Sequence, residues 1–313
     1  MMQAPKIQIF VICHKPAYVP EHALLKPIQV GAVLTQERYE GMQPDCTGDN
    51  ISEKNPQYCE LTAQYWAWKN VECDYYGFFH YRRYLSFETV YALAKDGSLC
   101  GSGSKTPYVE LDDIRVPLET YGFDEDHMRQ VIDKYDILTV LRERLNTTVY
   151  RQYCQYHPKE YLDRMLKILN ETHPEYKLAA ERYMDSKDIY YMNMYIMKRQ
   201  VFQEYMEWLF GLLSEFERSG AASEEPRLMG YLAERLFGIF YLYQREQGRK
   251  CAELPYLKFY NTDADGKGGG QKEIRTFQLK PTKIRIKINM RTLNRMFPAG
   301  SRRRIILRSM FLR

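Results

Sequence analysis

The 313-residue chain lacks most of the features that settle a protein's class at once. No stretch approaches the roughly 20 apolar residues that a membrane-spanning helix needs, so a soluble or peripheral protein is expected. Residues 7–13 form too short an apolar run for a secretory leader, and His14-Lys15-Pro16 ends it. No Gly-Lys-Ser/Thr follows a strand-like run, which excludes a Walker phosphate loop. The seven cysteines are scattered, odd in number and free of any C-x-x-C pair, and they read as free thiols of a reducing cytoplasm. Asp263-Ala264-Asp265 has the D-x-D spacing of a metal motif but sits in a Gly-rich linker, not after a strand.

What is present points to a sizeable core. The composition is 45% hydrophobic and 14% aromatic, with 27 tyrosines, and the length suits one large α/β domain with additions. The net charge of +5 hides an asymmetry: residues 271–313 carry +12 and residues 1–270 therefore carry −7. An acidic body with a basic tail is expected, which argues against a nucleic-acid-binding body.

One stretch organises the rest. Residues 74–85 read Asp-Tyr-Tyr-Gly-Phe-Phe-His-Tyr-Arg-Arg-Tyr-Leu, an aromatic run that suits a buried strand and then emerges in His80, Arg82 and Arg83. Ligands bind at the carboxyl ends of strands in open α/β sheets, and guanidinium forks there suit a diphosphate. A first strand at residues 6–13 is followed by the polar loop of His14 and Lys15, and residues 28–35 read as a second strand. Asp49, Asn50, Ser52 and Asn55 cluster in a turn-rich loop, as plain turn residues or as ligands of a base or ribose. From Gln57 to Asn70, Tyr58, Leu61, Tyr65 and Trp68 recur at helical spacing. Residues 95–106 read as a flexible excursion, 135–138 as a strand core, and 150–169 as a helix that Pro158 divides. Residues 191–197 look strand-like, and strong helices are expected over 201–217 and 225–243. Asp136 reads as a structural cap. Residues 261–273 are a linker by composition, and 302–312 has the pattern of a basic amphipathic helix on an anionic membrane.

Several stretches together resemble a bacterial family of glycosyltransferases encoded with capsular, exopolysaccharide and O-antigen genes. They are residues 47–52, Asn55, 58–62, Tyr65-Trp66, 68–70, Tyr76-Gly77, His80-Tyr81-Arg82-Arg83-Tyr84, 135–137, 193–197 and 230–236. The resemblance spans about residues 5–257 and implies an α/β, GT-A-like (Rossmann-type) nucleotide-sugar transferase with a helical C-terminal half. A nucleotide-binding half to about 140 and an acceptor half over 141–260 would precede the linker and a basic tail at 274–313. The donor would be a UDP-sugar, with galactose or galactofuranose favoured, and the acceptor a saccharide or lipid-linked saccharide. The expected place of work is the inner face of the cytoplasmic membrane. On this resemblance the donor-binding set is His14, Lys15, Asp49, Asn50, Ser52, Asn55, Thr62, Tyr65, His80, Arg82 and Arg83. Arg82 would also stabilise the leaving group. Glu234, ahead of Asp188, would be the base, and His157, Asn193 and Arg235 would meet the acceptor. Where typical GT-A enzymes place D-x-D, this chain has His80-Tyr81-Arg82, so no metal ligands are assigned and a divalent metal is in doubt. The other reading is a non-catalytic nucleotide- or carbohydrate-binding scaffold of a polysaccharide assembly complex.

Overall fold

A computed structural model describes residues 4–94, 97–101, 106–221, 225–263, 275–279 and 284–288, the last two segments as backbone only. The first half runs β1 (Ile7–Cys13), β2 (Leu25–Gln29), β3 (Gln43–Pro44), α1 (Asn55–Tyr58), α2 (Leu61–Asn70), β4 (Tyr75–His80), β5 (Arg83–Leu85), β6 (Tyr91–Leu93), β7 (Leu99–Cys100) and β8 (Tyr108–Asp113). It continues with α3 (Glu125–Ile132), β9 (Ile137–Val140), β10 (Glu143–Arg144), α4 (Val149–Tyr156), α5 (Lys159–Thr172) and α6 (Lys177–Asp185). Then come β11 (Asp188–Ile189), β12 (Tyr195–Lys198), α7 (Arg199–Phe216), α8 (Leu228–Glu246), β13 (Cys251–Leu254) and β14 (Tyr256–Asn261). An antiparallel pair, β15 (Arg275–Leu279) with β16 (Ile284–Ile288), lies within the stretch read from sequence as a basic tail. Residues 302–312 and 264–274 lie outside the described residues, as do 95, 96 and 102–105 of the expected excursion.

The main sheet has the order β3-β2-β1-β4-β12-β9-β13-β6-β7, with β5 pairing β4 and β14, and β8 pairing β14. Strands β1 to β4 are mutually parallel, whereas β12 runs antiparallel to both β4 and β9. This is the α/β, GT-A-like architecture. The chain steps outward from β1 to β2 and β3, then returns to the other side of β1 as β4. A crevice therefore opens between the carboxyl ends of β1 and β4, where the strand order reverses. The two halves expected at 1–140 and 141–260 share this sheet, because β12 inserts between β4 and β9.

Strand β4 is buried along Tyr75 to Phe79 because both of its faces are covered. Phe78 stacks on Phe10 of β1 (5.6 Å between centroids), and Tyr76 stacks on Phe202 of α7 (4.3 Å). Gly77 sits between Ile9 and Ile196 in register, and a Cβ there would come within 2.8 Å of Ile9 Cγ1 and 3.0 Å of Ile196 Cγ1. Glycine in this aromatic run is thus a packing requirement, since overfilling a close-packed core costs about 1–3 kcal/mol. Beyond the sheet, α7 and α8 join through aromatic contacts such as Tyr205 with Phe240 (4.7 Å).

Three expectations need correction. The second strand ends at Gln29, earlier than residues 28–35 suggest, because the amides of Gly31 and Ala32 are captured by the Asp45 carboxylate. The helix expected from Gln57 to Asn70 breaks at Cys59, whose φ of 51° leaves the helical region, so α1 and α2 are separate. The strand expected over 191–197 starts only at Tyr195, because Met192 (φ 79°) and Asn193 (φ 48°) form a left-handed turn. Pro158 does divide the helix read over 150–169, separating α4 from α5.

Candidate functional site

The crevice at the ends of β1 and β4 is a cleft of about 1050 Å³. His14 and Lys15 enter it from the loop after β1, and His80, Tyr81, Arg82 and Arg83 from the tight turn joining β4 to β5. Asn55 and Pro56 line it from the start of α1, and Cys59 and Glu60 from the break between α1 and α2. Tyr191 and Met192 come from the turn before β12, Arg227 from the cap position just before α8, and Glu234 from α8 itself. Glu143, Tyr108, Tyr256 and Lys258 complete the wall.

The basic side of the cleft is under-neutralised. Arg82 lies over the Tyr81 ring (5.2 Å), its main-chain carbonyl accepts the Phe259 N–H (2.9 Å), and its buried Nε has no hydrogen-bond partner. Among the described residues Arg83 has no ion-pair partner, and Lys15 reaches only Asp263, at 4.0 Å. A buried donor left unpaired costs about 1–3 kcal/mol, a deficit that an anionic ligand would remove. Burial, and the cations Lys15 and Arg82, hold His14 below the usual histidine range. His80 is pushed down to about 4 by burial and by Arg83. At neutral pH His80 is therefore uncharged. Its Nε2 lies 2.8 Å from the Met192 carbonyl, which can only accept, so Nε2 carries the proton.

The acidic side is built around the Met192–Asn193 turn. The Met192 N–H donates to Glu234 Oε1 (2.8 Å), and the Asn193 amide donates to Glu60 Oε1 (2.7 Å). The Gln64 amide donates to the Asn193 carbonyl (3.1 Å). Consecutive left-handed non-glycine residues are costly, and such strain persists only where the surroundings over-determine it. Here His80, Glu234, Glu60 and Gln64 do so. The second oxygen of Glu234 accepts from Arg235 (2.9 Å), which is buried and also donates to Gln152 (2.6 Å). Burial raises both Glu60 and Glu234 above the usual carboxylate range.

A family model described as a domain of unknown function, DUF4422, matches residues 8–246. The chain belongs to the DUF4422 family. The chain is also similar to a solved structure, the apo form of the bifunctional glycosyltransferase WbbM, at 32% identity and a TM-score of 0.72. That match covers 82% of this chain and 46% of WbbM, so the chain spans under half the length of its structural relative. No curated protein matches. The DUF4422 match takes in β1 through α8, and so includes most of the cleft, but leaves out β13 and β14.

This DUF4422 chain brings together His14, Lys15, Asn55, His80, Arg82, Arg83 and Glu234 of the residues expected from sequence. The other expected residues do not line the cleft. Ser52 and Thr62 donate to the buried Asp45, while Asp49 accepts from the Tyr65 hydroxyl (3.1 Å), and Asn50 closes its own turn on Gly48. Asp188 pairs with Arg144 (2.8 Å) and Arg142 (3.7 Å) in a separate cavity, because the β10–β11 pairing turns it away. His157 packs at a tilt against Tyr231 (4.2 Å between centroids) and Tyr153, which keeps it in the helical layer. Asn193 and Arg235 stand behind the cleft and hold its two carboxylates. Asp136 accepts from the Lys250 N–H, a structural role, though between the starts of β9 and β13 rather than at a helix end. Sequence reasoning missed Glu60, Arg227, Tyr191, Glu143, Tyr108, Tyr256 and Lys258 as cleft residues. Glu60 had one signal, its place within the family-like string of residues 58–62.

Proposed function

We propose that the protein is a glycosyltransferase that moves a hexose from a UDP-sugar to a saccharide or lipid-linked saccharide acceptor. Galactose or galactofuranose is the favoured sugar, and capsule, exopolysaccharide or O-antigen synthesis the setting. The reading extends to a peripheral protein whose basic tail holds it to the inner face of the cytoplasmic membrane. The observation that carries it is the under-neutralised guanidinium pair Arg82 and Arg83, at the switch point of a GT-A-like sheet. The likeness to a bifunctional glycosyltransferase supports it.

In this mechanism Lys15, Arg82 and Arg83 meet the diphosphate and stabilise the charge that develops on it as the glycosidic bond breaks. Fixed cations in a partly dehydrated cleft are worth far more than in water. The side chains at the end of β4 do not suit a divalent cation. His80, whose Nε2–H goes to the Met192 carbonyl, offers a metal only its Nδ1 lone pair, and a guanidinium cannot ligate a metal. Two carboxylates, Glu60 and Glu234, face the cations across the cleft, and one of them serves the acceptor hydroxyl as base.

The test is a thermal-shift panel of UDP, GDP, CDP and ADP, each with EDTA and with Mn²⁺. A ligand at a hundred times its Kd stabilises a fold by about 2.7 kcal/mol. UDP-selective stabilisation that survives EDTA, and that Arg82→Ala abolishes, is the expected result. A shift only with Mn²⁺ would sink metal-free binding, and no shift with any nucleotide would move the scaffold reading to first place.

A further inference from the structure

Resting on that reading, we propose that Glu60 is the carboxylate that takes the acceptor's proton, and that Glu234 is a positioning residue holding the Met192–Asn193 turn. The two acids differ in what a proton would break. Each oxygen of Glu234 already accepts from a fixed donor, the Met192 N–H on one side and Arg235 on the other. Arg235 is only 3% exposed, so a proton on Glu234 would strand a buried guanidinium without its counter-charge. A group that must gain and lose a proton at every turnover is badly placed in that role.

Glu60 has no such tie. The Asn193 amide, a neutral donor, holds one oxygen, and the residue's own main-chain N–H adds a second neutral contact. It lines the cleft at the break between α1 and α2, where Cys59 turns the backbone out of the helix. The ionisable groups facing it are Arg83 from β5, Arg227 and Glu234 on the α8 side, neighbouring Cys59, and the buried phenols Tyr195 and Tyr205. Burial raises those phenols well above their ordinary range, so they stay neutral at working pH. Arg83 and Arg227 pull the Glu60 proton affinity down. A diphosphate bound by Arg83 offsets one of those charges and so makes Glu60 a stronger base once the donor is seated.

The step is one in-line displacement. The acceptor oxygen forms a bond to the anomeric carbon as the bond from that carbon to the diphosphate oxygen breaks. The electron pair leaves on the diphosphate, the hydroxyl proton passes to Glu60, and solvent later takes it away. The anomeric configuration inverts.

The experiment measures nucleoside diphosphate release by the full chain from a panel of UDP- and GDP-hexoses, with methyl glycosides as acceptors. Glu60→Gln should lower kcat by about a hundredfold or more, with nucleotide affinity unchanged and the acidic limb of the kcat profile lost. Glu234→Gln should lower the melting temperature more than Glu60→Gln does, while its residual activity keeps that limb. A Glu60→Gln enzyme within about tenfold of wild type, or a product of retained configuration, overturns the assignment. If wild type turns over no donor at all, the transferase reading falls first and takes the assignment with it.

Discussion

Among the regions of this protein that enclose acidic side chains, two do it in opposite ways. Asp45 is fully buried and takes four neutral hydrogen bonds: from the Gly31 N–H (2.9 Å), the Ala32 N–H (3.0 Å), the Ser52 hydroxyl and the Thr62 hydroxyl (2.7 Å). Among the described residues no cation pairs with it, and the left-handed backbone it needs is supplied by a glycine, Gly31 at φ 64°. In the cleft, Glu60 and Glu234 hold fewer donors, face Arg83, Arg227 and Arg235, and lean on a left-handed turn made of Met192 and Asn193. The first arrangement is saturated and relaxed, and it fixes a loop. The second is under-saturated, charged and strained, as expected where a ligand must complete the network.

The largest expected effect breaks the saturated region. Asp45→Ala would orphan two main-chain amides and two hydroxyls, each costing about 1–3 kcal/mol when buried without a partner. Urea unfolding should show a loss of more than about 3 kcal/mol, since some of the four will find water. A loss below about 1 kcal/mol would mean that the four bonds do not hold the loop, and the contrast with the cleft would dissolve.

This contrast also explains what could be read from the sequence. Strands β1 and β4 were legible because unbroken apolar or aromatic runs mark strands covered on both faces, and His14, Lys15, His80, Arg82 and Arg83 follow from their ends. Ser52 reads as a ligand for its polarity in a turn-rich loop, and Thr62 for its place in the family-like string. Nothing local reveals that both point inward to an aspartate seven and seventeen residues away. Glu60 was passed over because residues 57–70 have uninterrupted helical periodicity, and a break at Cys59 leaves no mark in composition. The turn at Met192–Asn193 was read as strand because its residues favour strands, and only tertiary clamps from three other elements override that preference. Strands β13 and β14 escaped notice because they follow the last long helix in a stretch with little alternation.

An intermediate effect uses pH to separate the groups of the cleft. His80, at about 4, sits below its ordinary 6.5, so the unfolded chain takes up that proton first and protonation favours unfolding. Its contribution is whole above about pH 6.5 and is lost as the pH falls toward 4, by at most about 1.4 kcal/mol per pH unit. Glu60 and Glu234 run the other way: with folded values above the ordinary ones, the folded chain takes their protons first and gains as the pH falls. His80→Gln keeps an N–H for the Met192 carbonyl and removes the titration. Its stability should fall less steeply than wild type between pH 6.5 and 4 in urea titrations. Parallel curves would show that His80 is not held neutral by the fold.

The smallest effect addresses strain itself. In an ordinary conformation glycine is about 0.5–1 kcal/mol less stable than alanine, because it loses more chain entropy on folding. At φ 79° the Met192 position should reverse that order. Both Met192→Gly and Met192→Ala remove the same side chain from the cleft, and both keep the N–H that reaches Glu234 and the carbonyl that meets His80. Their difference therefore reports the backbone alone. Met192→Gly should be the more stable by about 1 kcal/mol. If alanine wins instead, the turn carries no strain, and the cleft differs from the Asp45 region in charge only. If glycine wins, the chain keeps a costly residue at its site where it uses a glycine for the same φ in its scaffold, which ties the Met192 side chain to what the cleft binds.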